Sequence, residues 1–174
     1  MKIKKTNIFG CYEVFTDGIF DDRGSFSRIF CENILKKNNI KFKIKQINFA
    51  NTKKRGTFRG FHYQVNPHSE NKLVKCIKGS IFDVVIDLRK KSKTYKKLFK
   101  TKLYDKENKL LLIPRGCAHG YLSLNDNTEI IYFVDNVYNS SSERGIKYSD
   151  PDIKIKWPIK IKNVSVKDLN WPKL

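Results

Sequence analysis

The stretch Lys72–Leu88, KLVKCIKGSIFDVVIDL, decides the fold class of this chain. Both halves are rich in branched apolar residues, which favour β-strands, and Lys78-Gly79 between them is typical of a tight turn. We therefore predict two strands joined as a hairpin. Further apolar segments of strand length lie at residues 110–114, 120–124 and 129–137, and residues 125–127 have the composition of a turn.

Helical patterns are scarce outside these segments. Only residues 32–38, and a short piece near the C-terminus, have the composition of a helix. Many short strands with frequent turn signals indicate an all-β sandwich or jelly roll. The length of 174 residues and the absence of repeats or linker-like segments predict one domain over residues 1–174.

The composition predicts a soluble protein that is not exported. Hydrophobic residues make up 40% of the chain, enough for a sizeable core, yet no apolar run reaches the roughly 18 residues that cross a membrane. Residues 1–15 lack the continuous apolar stretch of a secretory signal. The four cysteines are widely spaced without a CxxC pair, so we expect reduced thiols and neither a zinc knuckle nor a redox dithiol.

The formal net charge of +19 raises the possibility of a nucleic-acid partner. The lysines are scattered through every segment and no helix collects them on one face, which indicates a compositional bias instead. We predict no nucleic-acid and no membrane partner. The basic surface could still attract a small, doubly charged substrate by electrostatic steering.

Two polar residues interrupt the apolar stretch and could form part of a site. If Lys78 and Gly79 are the two turn residues, Lys72 and Asp83 become diagonal neighbours on one face of the hairpin. A long lysine side chain would then reach the carboxylate. The alternative is that this face is solvated and the pair is an ordinary surface salt bridge.

Two histidines stand in further polar clusters. His62 lies in RGFHYQ, residues 59–64, and His119 lies in IPRGCAHGY, residues 113–121, at a Pro-x-Gly-x-x-His spacing. A histidine suits proton abstraction because its ordinary pKa lies near neutrality and a neighbouring carboxylate can orient it. A satisfied structural histidine is the alternative for His62, whereas the spacing that contains His119 is more specific.

At these clusters the chain resembles the dTDP-4-dehydrorhamnose 3,5-epimerase family. The matching blocks are 20–26 (FDDRGSF), 46–48 (QIN), 59–64 (RGFHYQ), 72–74 (KLV), 82–89 (FDVVIDLR), 113–120 (IPRGCAHG) and 142–146 (SERGI). The resemblance implies a cupin jelly-roll barrel with short peripheral helices, working as a homodimer without metal or other cofactor. It implies a nucleotide-diphosphate 4-keto-6-deoxy sugar as substrate, inverted at C3, C5 or both, for surface polysaccharides such as capsule.

The resemblance also implies roles for individual residues. His62 resembles the general base, Asp168 its carboxylate partner and Tyr132 the acid that returns a proton, while Lys72 would face the enolate oxygen. The residues implied in substrate binding are Arg23, Phe26, Gln46, Asn48, Arg59, Asp83, His119, Tyr138, Glu143 and Lys167. Among these, Arg23 and Phe26 are expected to serve the site of the other protomer.

The reaction itself calls for these residue types. Hydrogens at C3 and C5 of a 4-keto sugar are acidic because the carbanion delocalises onto the carbonyl oxygen, so a base and a nearby cation lower the barrier. Inversion also needs a proton donor on the opposite face. If Asp126 and Asn127 form a two-residue turn, Tyr132 pairs with Tyr121 on the face that carries His119.

Position 28 departs from the family pattern, which has glutamate where this chain has Arg28. Residues 49–57 are also rich in lysine and one residue longer than expected before Arg59. A reversed charge at a nucleotide contact suggests an alternative substrate, a GDP-linked 4-keto heptose. The other reading is that Arg28 is exposed and neutral in its effect.

Two rival classes remain at the level of sequence. A metal-dependent cupin such as a dioxygenase would use Pro114-x-Gly116-x-x-His119 as its second metal motif. The His-x-His pair of the first motif is missing, because Gln64 stands two residues after His62. A non-enzymatic cupin that only binds sugar nucleotides would be expected to lack the base, the donor or the lysine, and all of them are present.

Overall fold

All 174 residues are described by a computed structural model, in which the strands form two facing six-stranded sheets and a separate hairpin. The strands are β1 (Lys2–Lys5), β2 (Tyr12–Phe15), β3 (Gly18–Asp21), β4 (Gly24–Ser27), β5 (Gln46–Thr52), β6 (Thr57–Gln64), β7 (Lys72–Lys78), β8 (Ser80–Asp87), β9 (Leu98–Tyr104), β10 (Lys109–Ile113), β11 (Cys117–Ser123), β12 (Thr128–Val134), β13 (Glu143–Gly145) and β14 (Asn163–Val164). The helices are α1 (Glu32–Lys37) and α2 (Val166–Leu169), with one 3-10 turn at Ser140–Ser142. Neither helix has the length and apolar character needed to cross a membrane.

The order of the strands defines a cupin jelly roll. The first sheet runs β1-β2-β10-β7-β12-β5, and the second runs β13-β6-β11-β8-β9 with β14 parallel to β6. Strands β3 and β4 pair only with each other. The predictions of an all-β jelly roll and of helices near residues 32–38 and at the C-terminus are confirmed.

Three apolar layers explain why the central strands are buried on both faces. The space between the sheets is filled from β7 and β8 by residues such as Val74, Cys76, Ile81 and Val85. The outer face of the first sheet packs against α1 and the segment after it. The outer face of the second sheet is covered by the C-terminal segment, whose alternating residues Ile153, Ile155, Trp157, Ile159 and Ile161 point towards it.

The predicted hairpin of β7 and β8 is wrong, although both strands form. At Gly79, which has a φ of +75°, the chain crosses from the first sheet to the second. The N–H of Gly79 donates to the Asp105 carboxylate at 2.8 Å, which holds this corner. Strand β7 therefore pairs with β10 and β12, while β8 pairs with β9 and β11.

The predicted pairing of Tyr132 with Tyr121 is wrong for the same reason. Strand β11 belongs to the second sheet and β12 to the first, so residues 124–127 form a second crossing instead of a hairpin turn. Tyr132 pairs with Val74 and Asn48. The inward face of each strand nevertheless follows the predicted alternation.

A buried carboxylate holds the loop that follows β8. Asp87 is fully buried and accepts hydrogen bonds from Arg89 Nε at 2.8 Å and from the hydroxyls of Ser92 and Thr94 at 2.6 Å. Burial alone would raise the pKa of Asp87, but these hydrogen bonds outweigh it and lower the pKa far below its usual range. Arg89 also donates to the carbonyl of Phe9 at 2.6 Å, which ties the N-terminal segment to the same point.

Replacing Asp87→Asn should destabilise the protein by about 3 kcal/mol, because buried donors then lose their ionised acceptor. Urea unfolding at neutral pH measures this change. The pKa of Asp87 is lower in the folded protein than its ordinary value of 3.8, so the ionised carboxylate stabilises the fold above that pH and this contribution is lost as the pH falls. The difference in unfolding free energy between wild type and variant should therefore narrow below about pH 4.

Asp152→Asn is the matched control, since Asp152 is exposed and its side chain makes no hydrogen bond. This control should unfold like the wild type. Equal stability of the Asp87 variant and the control would contradict the structural role given to Asp87.

Candidate active site

The centre of the site is a histidine and an aspartate brought together from distant parts of the chain. His62 lies on β6 and its Nε2 is 2.6 Å from Oδ1 of Asp168, a residue of α2. Burial alone would raise the pKa of Asp168, but the hydrogen bond and charge of His62 outweigh it, and the pKa is lowered. An ionised carboxylate only accepts, so His62 Nε2 carries the proton and Nδ1 is left as the free basic nitrogen.

Local structure fixes the carboxylate of Asp168. Ser165 caps α2 by accepting a hydrogen bond from the Asp168 N–H at 3.1 Å, as N-cap serines do. The N–H of Gly60 donates to Asp168 Oδ2 at 3.3 Å. The indole N–H of Trp171 donates to Oδ1, also at 3.3 Å.

Tyr132 reaches the same cavity from the facing sheet. It lies on β12 in the first sheet, whereas His62 lies on β6 in the second, and both side chains line the space between the sheets. Burial raises the pKa of Tyr132, and the negative charge of Glu70 adds to this effect against the opposing charge of Arg59. The phenol therefore stays protonated near neutral pH and can donate.

Lys72 faces this cavity but does not pair with Asp83 as predicted. Its ammonium lies 3.2 Å from the carboxylate of Glu70, and both side chains are largely buried. Glu70 is held in turn by the amide of Gln64 at 2.5 Å. Lys72 and Asp83 are not neighbours because β7 and β8 lie in different sheets, which places the two residues on facing walls of the cavity.

Asp83 instead forms a second buried pair with His119. The distance between His119 Nε2 and Asp83 Oδ1 is 2.5 Å, and Asp83 is fully buried. Its other oxygen, Oδ2, has no hydrogen-bond partner. His119 is the direct cross-strand neighbour of His62, so the two imidazoles project side by side from the second sheet.

The cavity between the sheets has two adjoining lobes. One has a volume of about 350 Å³ and the other of about 330 Å³, and His62, Lys72 and Tyr132 line both. Arg59 and His119 belong to the first lobe. In that lobe the buried hydroxyls of Tyr121 and Thr52 are 3.0 Å apart.

The second lobe ends in a polar rim. The rim residues are Gln46, Asn48, Tyr138 and Glu143, with Lys167 bound to Glu143. The hydroxyl of Tyr138 donates to Glu143 at 2.7 Å, and Lys167 donates to the same oxygen at 2.6 Å. Burial would raise the pKa of Glu143, but these two donors outweigh it and lower the pKa.

Three predicted residues lie outside the cavity of their own chain. Arg23 is exposed on the β3–β4 hairpin and bonds to Asp21, and Phe26 is 64% exposed on the same hairpin. Arg28 is exposed and lies with Phe26 beside a shallow surface pocket near Met1. The structure thus gathers twelve of the fifteen predicted site residues, His62, Tyr132, Asp168, Lys72, Gln46, Asn48, Arg59, Asp83, His119, Tyr138, Glu143 and Lys167.

Glu70 and Trp171 belong to the site but were not predicted from the sequence. Glu70 stands two residues before Lys72, and opposite charges at that spacing were a usable signal for an ion pair. Trp171 is an isolated aromatic residue in a polar C-terminal tail, three residues after Asp168. Such a residue is expected to pack against the folded domain and to find a partner for its indole N–H.

Fold and site together define a class of protein. This is a cupin jelly roll whose internal cavity carries a histidine-aspartate pair and, on the facing wall, a protonated tyrosine beside a lysine. Such a constellation serves proton abstraction and proton return on a bound molecule.

Comparison with known proteins narrows this class to one family. The family model for dTDP-4-dehydrorhamnose 3,5-epimerase matches residues 5–174. The dTDP-4-dehydrorhamnose 3,5-epimerase of Shigella flexneri is 38% identical over 162 residues, covering 92% of this chain and 89% of that one. The Bacillus anthracis enzyme of that name, solved with TDP and PPi bound, has a TM-score of 0.96 at 32% identity and covers 99% of both chains. ChmJ, a 3'-monoepimerase from Streptomyces bikiniensis solved with dTDP-quinovose, has a TM-score of 0.90 at 27% identity, covering 98% of this chain and 86% of its own.

The chain belongs to the dTDP-4-dehydrorhamnose 3,5-epimerase family, and it is an isomerase that acts on nucleotide sugars. This assignment to an isomerase family argues against both rival classes, the metal-dependent dioxygenase and the cupin that only binds sugar nucleotides. It does not favour the alternative of a GDP-linked heptose, because the relatives act on or bind dTDP-linked compounds.

Glu70→Ala should destabilise the protein by about 3 kcal/mol, because it leaves the largely buried ammonium of Lys72 without its counter-charge. Glu70→Gln should cost less, since the amide oxygen still accepts from Lys72 and Gln64. Thermal and urea unfolding of both variants measure these effects. Equal losses in the two variants would contradict this expectation, because they would mean that the hydrogen bonds and packing retained by glutamine contribute nothing.

Proposed function

We propose that the protein inverts C3 and C5 of a dTDP-linked 4-keto-6-deoxy hexose through an enolate intermediate, with His62, Asp168, Lys72 and Tyr132 as its catalytic residues. One observation carries the proposal: the free nitrogen of a histidine-aspartate pair and a protonated phenol face one cavity from opposite sheets. A sugar between them has a base on one face and an acid on the other.

His62 acts as the base in this proposal. Its Nε2–H is engaged by Asp168 at 2.6 Å, which leaves Nδ1 to remove the proton beside the ketone. The imidazolium that forms is stabilised by the ionised carboxylate next to it. The proton therefore moves from carbon to nitrogen without leaving an unpaired charge in the cavity.

Lys72 stabilises the enolate in this proposal. Its ammonium projects into both lobes of the cavity and is held by Glu70 at 3.2 Å. A fixed cation beside the carbonyl oxygen lowers the energy of the developing negative charge, and it does so most strongly where water is excluded. His119, oriented by Asp83, is placed to contact the substrate from the wall that carries His62.

Tyr132 returns the proton from the other face. Burial and the charge of Glu70 raise the pKa of its phenol, so the donor form persists at neutral pH. A neutral donor is favourable here because Tyr132 packs against the apolar cluster between the sheets. The carbon that lost a proton towards β6 regains one from β12, and its configuration inverts.

The nucleotide is proposed to be dTDP, bound along Arg59 and the polar rim of Gln46, Asn48, Tyr138, Glu143 and Lys167. Arginine binds phosphate oxygens in pairs, and the net charge of +19 favours capture of an anionic substrate. The ligands of the solved relatives, TDP and dTDP-quinovose, support this choice. Arg28 lies beside Phe26, outside the cavity of its own chain, so it does not contact a nucleotide bound in that cavity.

We also propose a homodimer in which the β3–β4 hairpin reaches the partner's site with Arg23 and Phe26. The hairpin pairs with no other strand and exposes Phe20 at 73% and Phe26 at 64%. The edge strand β5 likewise exposes Ile47 at 54% and Phe49 at 61%. Apolar surface of this extent favours burial against a second copy.

The proposed setting is the cytoplasm, where the product would supply surface polysaccharides such as capsule. All four cysteines are free, and Cys11, Cys76 and Cys117 are buried in the core. Burial raises the pKa of Cys11 and of Cys117 to about 12, so these thiols are unreactive and suit a reducing compartment.

His62→Ala should lower deuterium incorporation from heavy water into the 4-keto sugar by about 10³-fold while dTDP binding persists, because only the base is lost. NMR of the sugar locates deuterium at C3 and C5, and calorimetry measures dTDP binding. In the wild type, deuterium at both carbons supports inversion of two centres, and deuterium at one carbon would contradict it. His68→Ala is the matched control and should exchange normally, since the His68 side chain makes no hydrogen bond.

Tyr132→Phe separates the two half-reactions in the same experiment. Proton removal by His62 should continue, so deuterium still enters the sugar. Inversion should fall much more than exchange, because the opposite face has lost its donor. Inversion at the wild-type rate would remove Tyr132 from the proposed mechanism.

Two inactive variants test the sharing of Arg23. If Arg23 serves the partner's site, co-expressed Arg23→Ala and His62→Ala subunits should regain about a quarter of wild-type activity, because half of the dimers carry one intact site. Light scattering measures the mass of each preparation. If Arg23 serves its own subunit, every site in the mixture is defective and no activity returns.

A further inference from the structure

The indole of Trp171 occupies the place of a missing side chain next to His62. Gly145 on β13 is the cross-strand partner of His62 on β6. A Cβ atom at Gly145 would collide with the Trp171 ring, so the ring lies directly on the glycine backbone. The site wall beside His62 is thus completed by a residue from the C-terminal tail.

Trp171 contacts both members of the histidine-aspartate pair. Its N–H donates to Asp168 Oδ1 at 3.3 Å, the same oxygen that receives His62 Nε2. Its ring lies edge-on to the imidazole, with 6.2 Å between centroids and an interplanar angle of 67°. The Lys167 ammonium lies 5.6 Å from the centroid of the indole and also binds Glu143.

The tail that carries Trp171 is anchored on both sides of the ring. The carbonyl of Pro172 accepts from Lys147 N–H at 2.9 Å, directly beyond β13. The N–H of Leu174 donates to Asp150 at 2.5 Å. These bonds fix the indole independently of α2, which has only four residues and cannot orient Asp168 rigidly by itself.

We propose that Trp171 is a positioning residue that holds the Asp168 carboxylate and the His62 ring in the reacting orientation. This inference rests on the proposed function, in which His62 is the base. With His62 and Trp171 on Oδ1 and Gly60 on Oδ2, the carboxylate is fixed by three donors. Without the indole, water would enter the space above Gly145 and compete for Oδ1.

Trp171→Phe keeps an aromatic ring and removes the N–H donor. We expect kcat to fall about tenfold through misorientation while KM changes little. The acid limb of the pH profile of kcat/KM should move to higher pH, because a carboxylate with one donor fewer holds the imidazolium more strongly. The charged and titratable groups around the imidazole, Asp168, Glu143, Lys167 and the neighbouring His119, are unchanged in this variant.

Trp157→Phe is the matched control. Trp157 is the only other tryptophan, and it packs against Phe58 and Phe82 on the outer face of the second sheet. This variant should lose some stability and keep the acid limb. A Trp171→Phe enzyme with wild-type kcat and acid limb would overturn the proposal.

Fluorescence tests the contact without substrate, since a protonated imidazole quenches an indole that it touches. In the Trp157→Phe protein, Trp171 is the only tryptophan, and its emission should fall in one step as the pH is lowered through the acid limb. His62→Asn in that background should abolish the step. A step that survives this change would overturn the proposed contact.

Gly145→Ala disturbs the contact between Trp171 and His62 without changing either residue, since the added Cβ displaces the indole ring. It should weaken the quenching step and lower kcat in parallel; unchanged quenching and kcat would overturn the proposal. The outcomes separate the two claims: continued exchange in His62→Ala contradicts the proposed base, whereas the fluorescence step reports on Trp171 whatever the reaction.

Discussion

One hydrogen bond joins the parts of the chain on which the site depends. His62 and Asp168 are 106 residues apart in sequence and 2.6 Å apart at their bonded atoms. To make this contact, the C-terminal segment must cross the outer face of the second sheet, where its alternating isoleucines pack, and then return to the cavity mouth. The same apolar pattern therefore covers the sheet and delivers the carboxylate. Assembly of the site is coupled to completion of the core.

The cavity shows how an apolar barrel tolerates ionisable groups. Removing a charge from water is unfavourable unless a partner of opposite charge compensates for it. Lys72 is accordingly paired with Glu70, His119 with Asp83 and His62 with Asp168. Paired charges are also fixed charges, since each partner restricts the rotation of the other. The pairing that stabilises these groups in the core therefore also gives them the fixed geometry that proton transfer requires.

The sequence was sufficient for the features that depend on local periodicity. The strands, α1 and the inward faces of β7 and β8 follow from branched residues and alternation, and the resemblance supplied His62, Asp168 and Tyr132. Strand partners could not be predicted, because a link as short as Lys78-Gly79 permits either a hairpin or a crossing between sheets. The sequence around Glu70 and Trp171 indicates an ion pair and a packed aromatic residue, but it does not show that these contacts lie in the site.

The two wrong hairpins have a consequence for the chemistry. Had β11 and β12 formed a hairpin, Tyr132 would lie in the sheet that contains β6, on the same wall as His62, and could approach a bound sugar only from the side of the base. The crossing at residues 124–127 carries β12 into the first sheet while the alternation of the strand still turns Tyr132 inward. Which face a residue occupies is a local property, and which wall it occupies is set by topology. The proposed inversion needs both, because an acid on the wall of the base would return the proton to the face from which it came.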